Sequence, residues 1–251
     1  CMNVFFETNK GLMRENNEDN LIVEEFDKYS LYAVADGMGG HKAGEVASSI
    51  AIERIRSYFV EGMGMEDFRP PSFIIESVNL SNEKIREESM KNEECFGMGT
   101  TVTMAVIDKL QNIIYIGNVG DSRAYLLRNN EITQITTDHT YVNELLKDGK
   151  ITAEEAKTHP KRNVITRALG SEEVVHADIF EIEFHKNDIL LLCTDGLTTH
   201  VSDDEMLEII KEYGSSESVR KLIKMANDNG GTDNITIIIV DNIIRGETYD
   251  R

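Results

Sequence analysis

The chain has 251 residues, 40% hydrophobic and 28% charged, a composition that suits a soluble globular protein with a sizeable core. Its 45 acidic residues outnumber 26 basic ones and give a formal net charge of −19, which disfavours generic binding to nucleic acid or anionic membranes. No apolar stretch approaches the ~18 residues of a membrane helix, so no membrane insertion is expected.

In chain order, short runs rich in β-branched and aromatic residues, bounded by Gly, Asn, Asp or Ser, predict strands over 18–25 and 29–36. From 43 to 59, Ala47, Ala51, Ile55 and Phe59 recur at helical spacing. A second helix is predicted from Pro71-Ser72 with Ile75, Val78 and Ile85 inward. Strands follow over 99–107, 112–119, 123–127 and 131–135, with Asn129-Asn130 as a two-residue hairpin turn. The stretch 138–170 is polar and reads as a lobe inserted over the sheet rim, with short helices at 141–147 and 152–157. Strands at 177–184, 188–194 and 234–240 enclose two helices, 202–213 and 216–227, separated by Gly214. Antiparallel-length strands with two helix pairs point to an α+β sandwich in a single domain.

The N-terminus lacks the basic-then-apolar pattern of a secretory signal, and Met2 after Cys1 reads as the natural start. Cys95 and Cys193 are too few and too separated for a disulfide framework. A reducing, cytoplasmic setting and a monomeric protein are expected.

Aspartates recur at the edges of the apolar runs: Ala-Val-Ala-Asp36-Gly37, Asn-Val-Gly-Asp121-Ser122, Leu-Cys-Thr-Asp195-Gly196 and Gly-Thr-Asp233-Asn234. Together they predict one acidic cluster at a sheet rim. Two unit charges about 4 Å apart repel by ~4 kcal/mol at an effective dielectric of about 20. A cation must hold such a cluster, and hard oxygen ligands favour Mg²⁺ or Mn²⁺. Asp36 is the strongest candidate, as a turn aspartate offering both oxygens beside a glycine that lets the backbone approach an ion. Asp195 repeats that strand-to-turn setting, and Asp233 approaches from before a strand. Taken singly, Asp121 describes an ordinary hairpin turn, and Arg14, Glu18 and Asp19 describe solvated surface.

At Asp36-Gly37-Met38-Gly39-Gly40-His41, Gly99-Thr100-Thr101, Val119-Gly120-Asp121-Ser122-Arg123 and Thr194-Asp195-Gly196, the chain resembles the metal-dependent (type 2C) protein serine/threonine phosphatases of the compact bacterial kind. Arg14-Glu-Asn-Asn-Glu18-Asp19-Asn20 and Gly231-Thr232-Asp233-Asn234 match in the same order, so the resemblance runs from about residue 8 to 240. It implies a β-sandwich of two mainly antiparallel sheets flanked by helix pairs, in one domain over 1–251 with a flap at about 138–170. It also implies two Mn²⁺ or Mg²⁺ ions, with Asp36 bridging, the Gly37 carbonyl on one ion, and Asp195 and Asp233 on the other. Glu18 and Asp19 would act mostly through water, and Asp121 with Asp195 would hold a third, weaker ion. Arg14 matches the phosphate-binding arginine, so Arg14, Asp36 and Asp195 form the expected catalytic set.

The implied reaction is hydrolysis of phosphoserine and phosphothreonine in proteins by a metal-bridging water or hydroxide, opposing a cognate serine/threonine kinase. Met38 stands where many eukaryotic relatives have a histidine, which leaves His41 a loop-positioning role. His139, His159 and Arg162 read as polar surface. A non-catalytic phosphoprotein-binding module of the same fold and a two-metal phosphodiesterase remain as alternatives.

Overall fold

The apolar runs fold into strands buried on both faces. In the computed structural model, which describes residues 2–40 and 43–242, the chain begins with β1 (Asn3–Asn9), β2 (Asp19–Glu25), β3 (Tyr29–Met38), α1 (Ala43–Gly62) and α2 (Pro70–Lys91). After a 3-10 turn at Glu93–Cys95 come β4 (Gly99–Thr100), β5 (Val102–Asp108), β6 (Ile113–Val119), β7 (Arg123–Arg128) and β8 (Glu131–Gln134). Then follow α3 (Tyr141–Lys147), α4 (Ala153–Thr158), β9 (Asp178–Glu183), β10 (Ile189–Cys193), α5 (Asp195–Thr198), α6 (Asp203–Asp228) and β11 (Ile235–Asp241).

One sheet runs β1-β11-β10-β7-β8 and the other β2-β3-β5-β6-β9, with β4 added on β3. Every pairing is antiparallel. Alternation along each strand sorts side chains into layers. Tyr32, Val34, Leu190, Leu192, Ile238 and Val240 fill the space between the sheets. Leu31, Ala33 and Ala35 turn outward onto α1 and α2, while Leu191, Cys193, Ile237 and Ile239 turn outward onto α6. The result is the expected sandwich with helices on both outer faces.

The helix faces follow the predicted spacing with one exception. Ala47, Ala51, Ile55 and Phe59 are buried, as are Val78 and Ile85, but Ile75 is 48% exposed and Ile74 takes the inward place. The stripe on α2 is Phe73, Ile74, Ser77, Val78, Ser81 and Ile85, and Ile75 falls about 100° away from Ile74 around the axis. Pro70 and Pro71 open that helix at its first positions, where a missing N–H costs nothing. Gly214, at φ 69°, interrupts the helical backbone of α6. Asn129 and Asn130 both have positive φ (52° and 63°), the twist a two-residue hairpin needs.

No strand is predicted where β1 forms, an edge strand on β11 that leaves Phe6 exposed. The predicted strand over 99–107 is broken at Thr101 into β4 and β5. Asp36-Gly37 is not a turn: β3 continues to Met38, with Asp36 opposite Asp19 and Gly37 opposite Thr100. Within the 138–170 stretch Thr140 bridges Ile165, while Leu169 bridges Thr100 of β4 and the His139 N–H donates to the Gly120 carbonyl (2.9 Å). In the same stretch α4 starts from a reciprocal Thr152–Glu155 capping box.

Candidate metal centre

Asp36 shares the strand face of Tyr32 and Val34, so it lies at the end of the layer between the sheets. Its backbone is fixed from β4 and the residue after it. The Asp36 N–H donates to Thr101 Oγ1 (3.0 Å), and its carbonyl accepts from Thr101 N–H (2.9 Å) and Thr100 Oγ1 (2.9 Å). Thr101 Oγ1 also lies 2.8 Å from Ser122 Oγ, which anchors the residue after Asp121. At Gly37 a side chain would collide with the Gly44 carbonyl in the first turn of α1 and with the Glu18 carbonyl. Glycine therefore lets three segments meet beside Asp36.

Asp19 reaches across the sandwich. Its Oδ2 accepts from Thr194 Oγ1 (2.8 Å) and Thr236 Oγ1 (2.6 Å), hydroxyls that belong to the opposite sheet. Glu18 is set by its N–H donating to Asn234 Oδ1 (2.8 Å) and its carbonyl accepting from Ser48 Oγ (2.6 Å). Asn234 donates in turn to the carbonyls of Lys10 (2.8 Å) and Asn16 (2.9 Å). The loop carrying Arg14 is thereby stapled to the start of β11. Arg14 Nη2 pairs with Asp233 Oδ2 at 2.7 Å, and the Arg14 side chain remains 47% exposed.

Asp195 opens α5 rather than a simple turn, with Thr194 as N-cap. Asp121 follows β6 and is buried. The Asp36 carboxyl lies within hydrogen-bonding reach of Asp195 and feels Asp19, Asp195, Asp121 and Asp233. Burial, then those four carboxylates, push Asp36 well above the usual range. Burial raises Asp19 to about 7 against the two hydroxyl bonds, and raises Asp121 to about 8 with help from Asp195 and Asp138. Asp195 rises through burial and Asp233, and Glu18 rises through burial. Asp36 is the electrostatic centre of the rim.

Oxygens in this cluster lack protein donors. Glu18 Oε1, Asp19 Oδ1, Asp121 Oδ1 and Asp195 Oδ1 are buried without a hydrogen-bond partner. A buried carboxylate oxygen left so is costly unless a cation or water completes it. Among the described residues no group of three His, Cys, Asp or Glu side chains forms a ready cage. Mg²⁺ keeps several waters and binds through one or two carboxylates, so this donor set fits such ions.

The structure brings Arg14, Glu18, Asp19, Asp36, Gly37, Asp121, Asp195 and Asp233 to one rim. His41 lies outside the described residues. His139 is not polar surface: it is buried, its Nδ1 accepts from Gly120 N–H (3.0 Å), and its Nε2 meets Asp178 Oδ2 (3.0 Å). That pairing fixes the neutral tautomer, because a backbone amide only donates. Arg162 is exposed and His159 half-buried. Arg123, half-buried beside the rim, grips Asp138 with Nε and Nη2 (2.7 Å).

Sequence reasoning assigns no role to the supporting residues Thr101 and Thr194, which it reads only as parts of motifs, and does not single out Thr236 or His200. His200 Nε2 accepts from Thr232 N–H (3.2 Å) and lies 2.7 Å from Thr232 Oγ1, so it fixes the residue before Asp233. The available signal was threonine beside aspartate in otherwise apolar strands.

The family described as Protein phosphatase 2C matches residues 13–237. The chain is 41% identical to the serine/threonine phosphatase stp of Listeria welshimeri over 245 residues, 96% of each chain. It is 38% identical to the serine/threonine protein phosphatase PstP of Mycobacterium tuberculosis, over 93% of this chain and 44% of that protein. Among solved structures, the serine/threonine phosphatase of S. agalactiae superposes with a TM-score of 0.87 at 32% identity, covering 96% of this chain and 99% of that one. The PstP catalytic domain in complex with two manganese ions gives 0.82 at 35% identity, covering 96% and 97%. On a match that spans both sheets and every rim carboxylate, the chain belongs to the protein phosphatase 2C family, among its bacterial serine/threonine phosphatases.

Proposed function

We propose that this phosphatase hydrolyses phosphoserine and phosphothreonine in proteins using Mg²⁺ or Mn²⁺ held at the Asp36 rim. The supporting observation is the set of buried, unpartnered carboxylate oxygens gathered around Asp36. Asp36, Asp195, Asp233 and the Gly37 carbonyl would hold two ions, Glu18 and Asp19 would act through water, and Asp121 with Asp195 would hold a third. Such ions supply positive charge for the phosphoryl oxygens and lower the pKa of an attacking water.

The chain's own residues do the rest. The exposed Arg14 guanidinium offers a planar fork to two phosphate oxygens, and the phosphate competes with Asp233 for it. Met38 carries no transferable proton, so the residue after Gly37 plays no acid role. The Thr100 and Thr101 clamp holds Asp36 in place while charge builds on the substrate. We read 138–170 as a flap belonging to the same domain, because Leu169 bridges Thr100 of β4 and the His139 N–H donates to the Gly120 carbonyl just after β6. The setting is cytoplasmic, and the partner reaction is carried out by a serine/threonine kinase.

Purified protein should release phosphate from a phosphothreonine peptide with Mn²⁺ and stop with EDTA. Asp36→Ala and Asp195→Ala should each abolish turnover and Mn²⁺ binding by calorimetry while circular dichroism stays unchanged. Absence of turnover by the wild type with every divalent ion tried would overturn the reading and favour a phosphoprotein-binding role.

A further inference from the structure

Two large apolar side chains stand in solvent beside the phosphate-binding arginine. Leu12 is 65% and Met13 72% exposed, and Arg14 follows directly. Their backbone is pinned: the N–H groups of Leu12 and Met13 both donate to the Gly231 carbonyl, at 2.8 and 3.1 Å. Gly11 N–H donates to Asn9 Oδ1 at 2.9 Å. A Cβ on Gly231 would come within 2.9 Å of Leu12 Cγ, so Leu12 rests on the segment that leads to Asp233. A rigid backbone holding two bare apolar side chains at the mouth of a site is a surface prepared for contact.

We propose that Leu12 and Met13 form an apolar subsite for the residue flanking the phosphorylated serine or threonine, and select substrates with an aliphatic or aromatic side chain there. This rests on Arg14 receiving the phosphate. Consecutive Cα atoms lie about 3.8 Å apart, so a peptide whose phosphate meets Arg14 has its neighbouring side chains within reach of Met13 and Leu12. The subsite is continuous with the catalytic rim, which identifies the occupant as substrate. Arg14 reads the phosphate, and the pair before it reads the sequence around it.

The test uses the whole protein, Mn²⁺, and two phosphothreonine peptides that differ only in carrying Leu or Ser beside the phosphoresidue. Wild type should prefer the Leu peptide by about tenfold in kcat/KM. In the double variant Leu12→Ser with Met13→Ser that preference should shrink to within about twofold, while p-nitrophenyl phosphate turnover and Mn²⁺ affinity stay within about twofold. Leu12→Gln with Met13→Gln, which keeps the stem lengths, should lose the preference likewise. A preference absent from wild type, one surviving in both double variants, or equal losses on peptide and aryl phosphate would each overturn the proposal. So would a wild-type dimer seen by light scattering and lost in the variants, which would assign the pair to a second copy. A wild type inactive on peptides and aryl phosphate alike would instead remove the phosphatase reading, and this one with it.

Discussion

Replacing Asp19 by Asn removes one negative charge from the rim and keeps an oxygen where Thr194 and Thr236 donate their hydroxyls. The carboxyl is raised from 3.8 to about 7 by burial, against those hydroxyl bonds and with Asp195 and Asp233 adding to the rise. Its unfolded value is about 3.9. Because the folded value is higher, the folded state keeps a proton that the unfolded chain has released between about pH 4 and 7. The stability this gives the ion-free protein is fully present below about pH 4 and lost as pH rises through about 7. At about 1.4 kcal/mol per pH unit the loss has a ceiling of ~4 kcal/mol, and with Asp19 only 5% exposed, solvent screening takes little from it. Asn has no charge to lose. In EDTA the variant should therefore melt with wild type near pH 4.5 and several degrees above it at pH 8.5, at roughly 2–4 °C per kcal/mol for a chain of this size. With saturating Mn²⁺ the order at pH 8.5 should reverse, since ion binding stabilises the wild type more. Scanning fluorimetry across pH with and without EDTA reads all of this. A variant melting below wild type at pH 8.5 in EDTA would refute the reasoning, because the hydroxyl bonds to the ionised carboxylate would then outweigh the repulsion.

Other perturbations separate the roles around the rim. Arg14→Lys keeps the charge and loses the fork, so kcat/KM on phosphopeptides should fall ~10–100-fold through KM while Mn²⁺ affinity changes by less than about threefold. His200→Leu removes the acceptor for Thr232 N–H and should weaken Mn²⁺ binding by about tenfold in calorimetry, with most of it regained in His200→Gln. Arg123→Met strands the buried Asp138 carboxylate and should cost ~3–5 kcal/mol in urea unfolding; a loss under about 1 kcal/mol would mean that Gln134, which also donates to Asp138, suffices alone.

Much of this was legible in the chain because the signals are local. Leu190 to Cys193 and Ile235 to Val240 are apolar at every position or nearly so, as strands buried on both faces must be. Asp36-Gly37 reads as a turn because the dipeptide carries turn chemistry, whereas in the structure the glycine serves close approach inside a strand. The strand β1 leaves little signal because none of its positions is fully buried, so Val4, Phe5 and Phe6 form no alternating pattern with their neighbours. Ile74 and Ile75 are equally apolar, and only the phase of the helix decides between them. The site's carboxylates could be gathered from their motifs, but their supports could not. Thr194 and Thr236 find Asp19 across 175 and 217 residues of sequence, and no spacing rule connects positions so far apart.

The carboxylate of Asp19 belongs to β2 and the hydroxyls that hold it belong to the far sheet. Asp36 likewise sits on one sheet, while Asp195 and Asp233 leave or enter strands of the other. The carboxylate rim is therefore a seam rather than a patch, and its width is set by how thickly the two sheets are packed. Leu192 and Ile238 sit in that packing two residues inward from Thr194 and Thr236. A change of volume there would widen or narrow the seam and retune the spacing of its carboxylates without touching one of them, which makes the inter-sheet layer the dial by which distant drift in sequence can adjust this enzyme's rate.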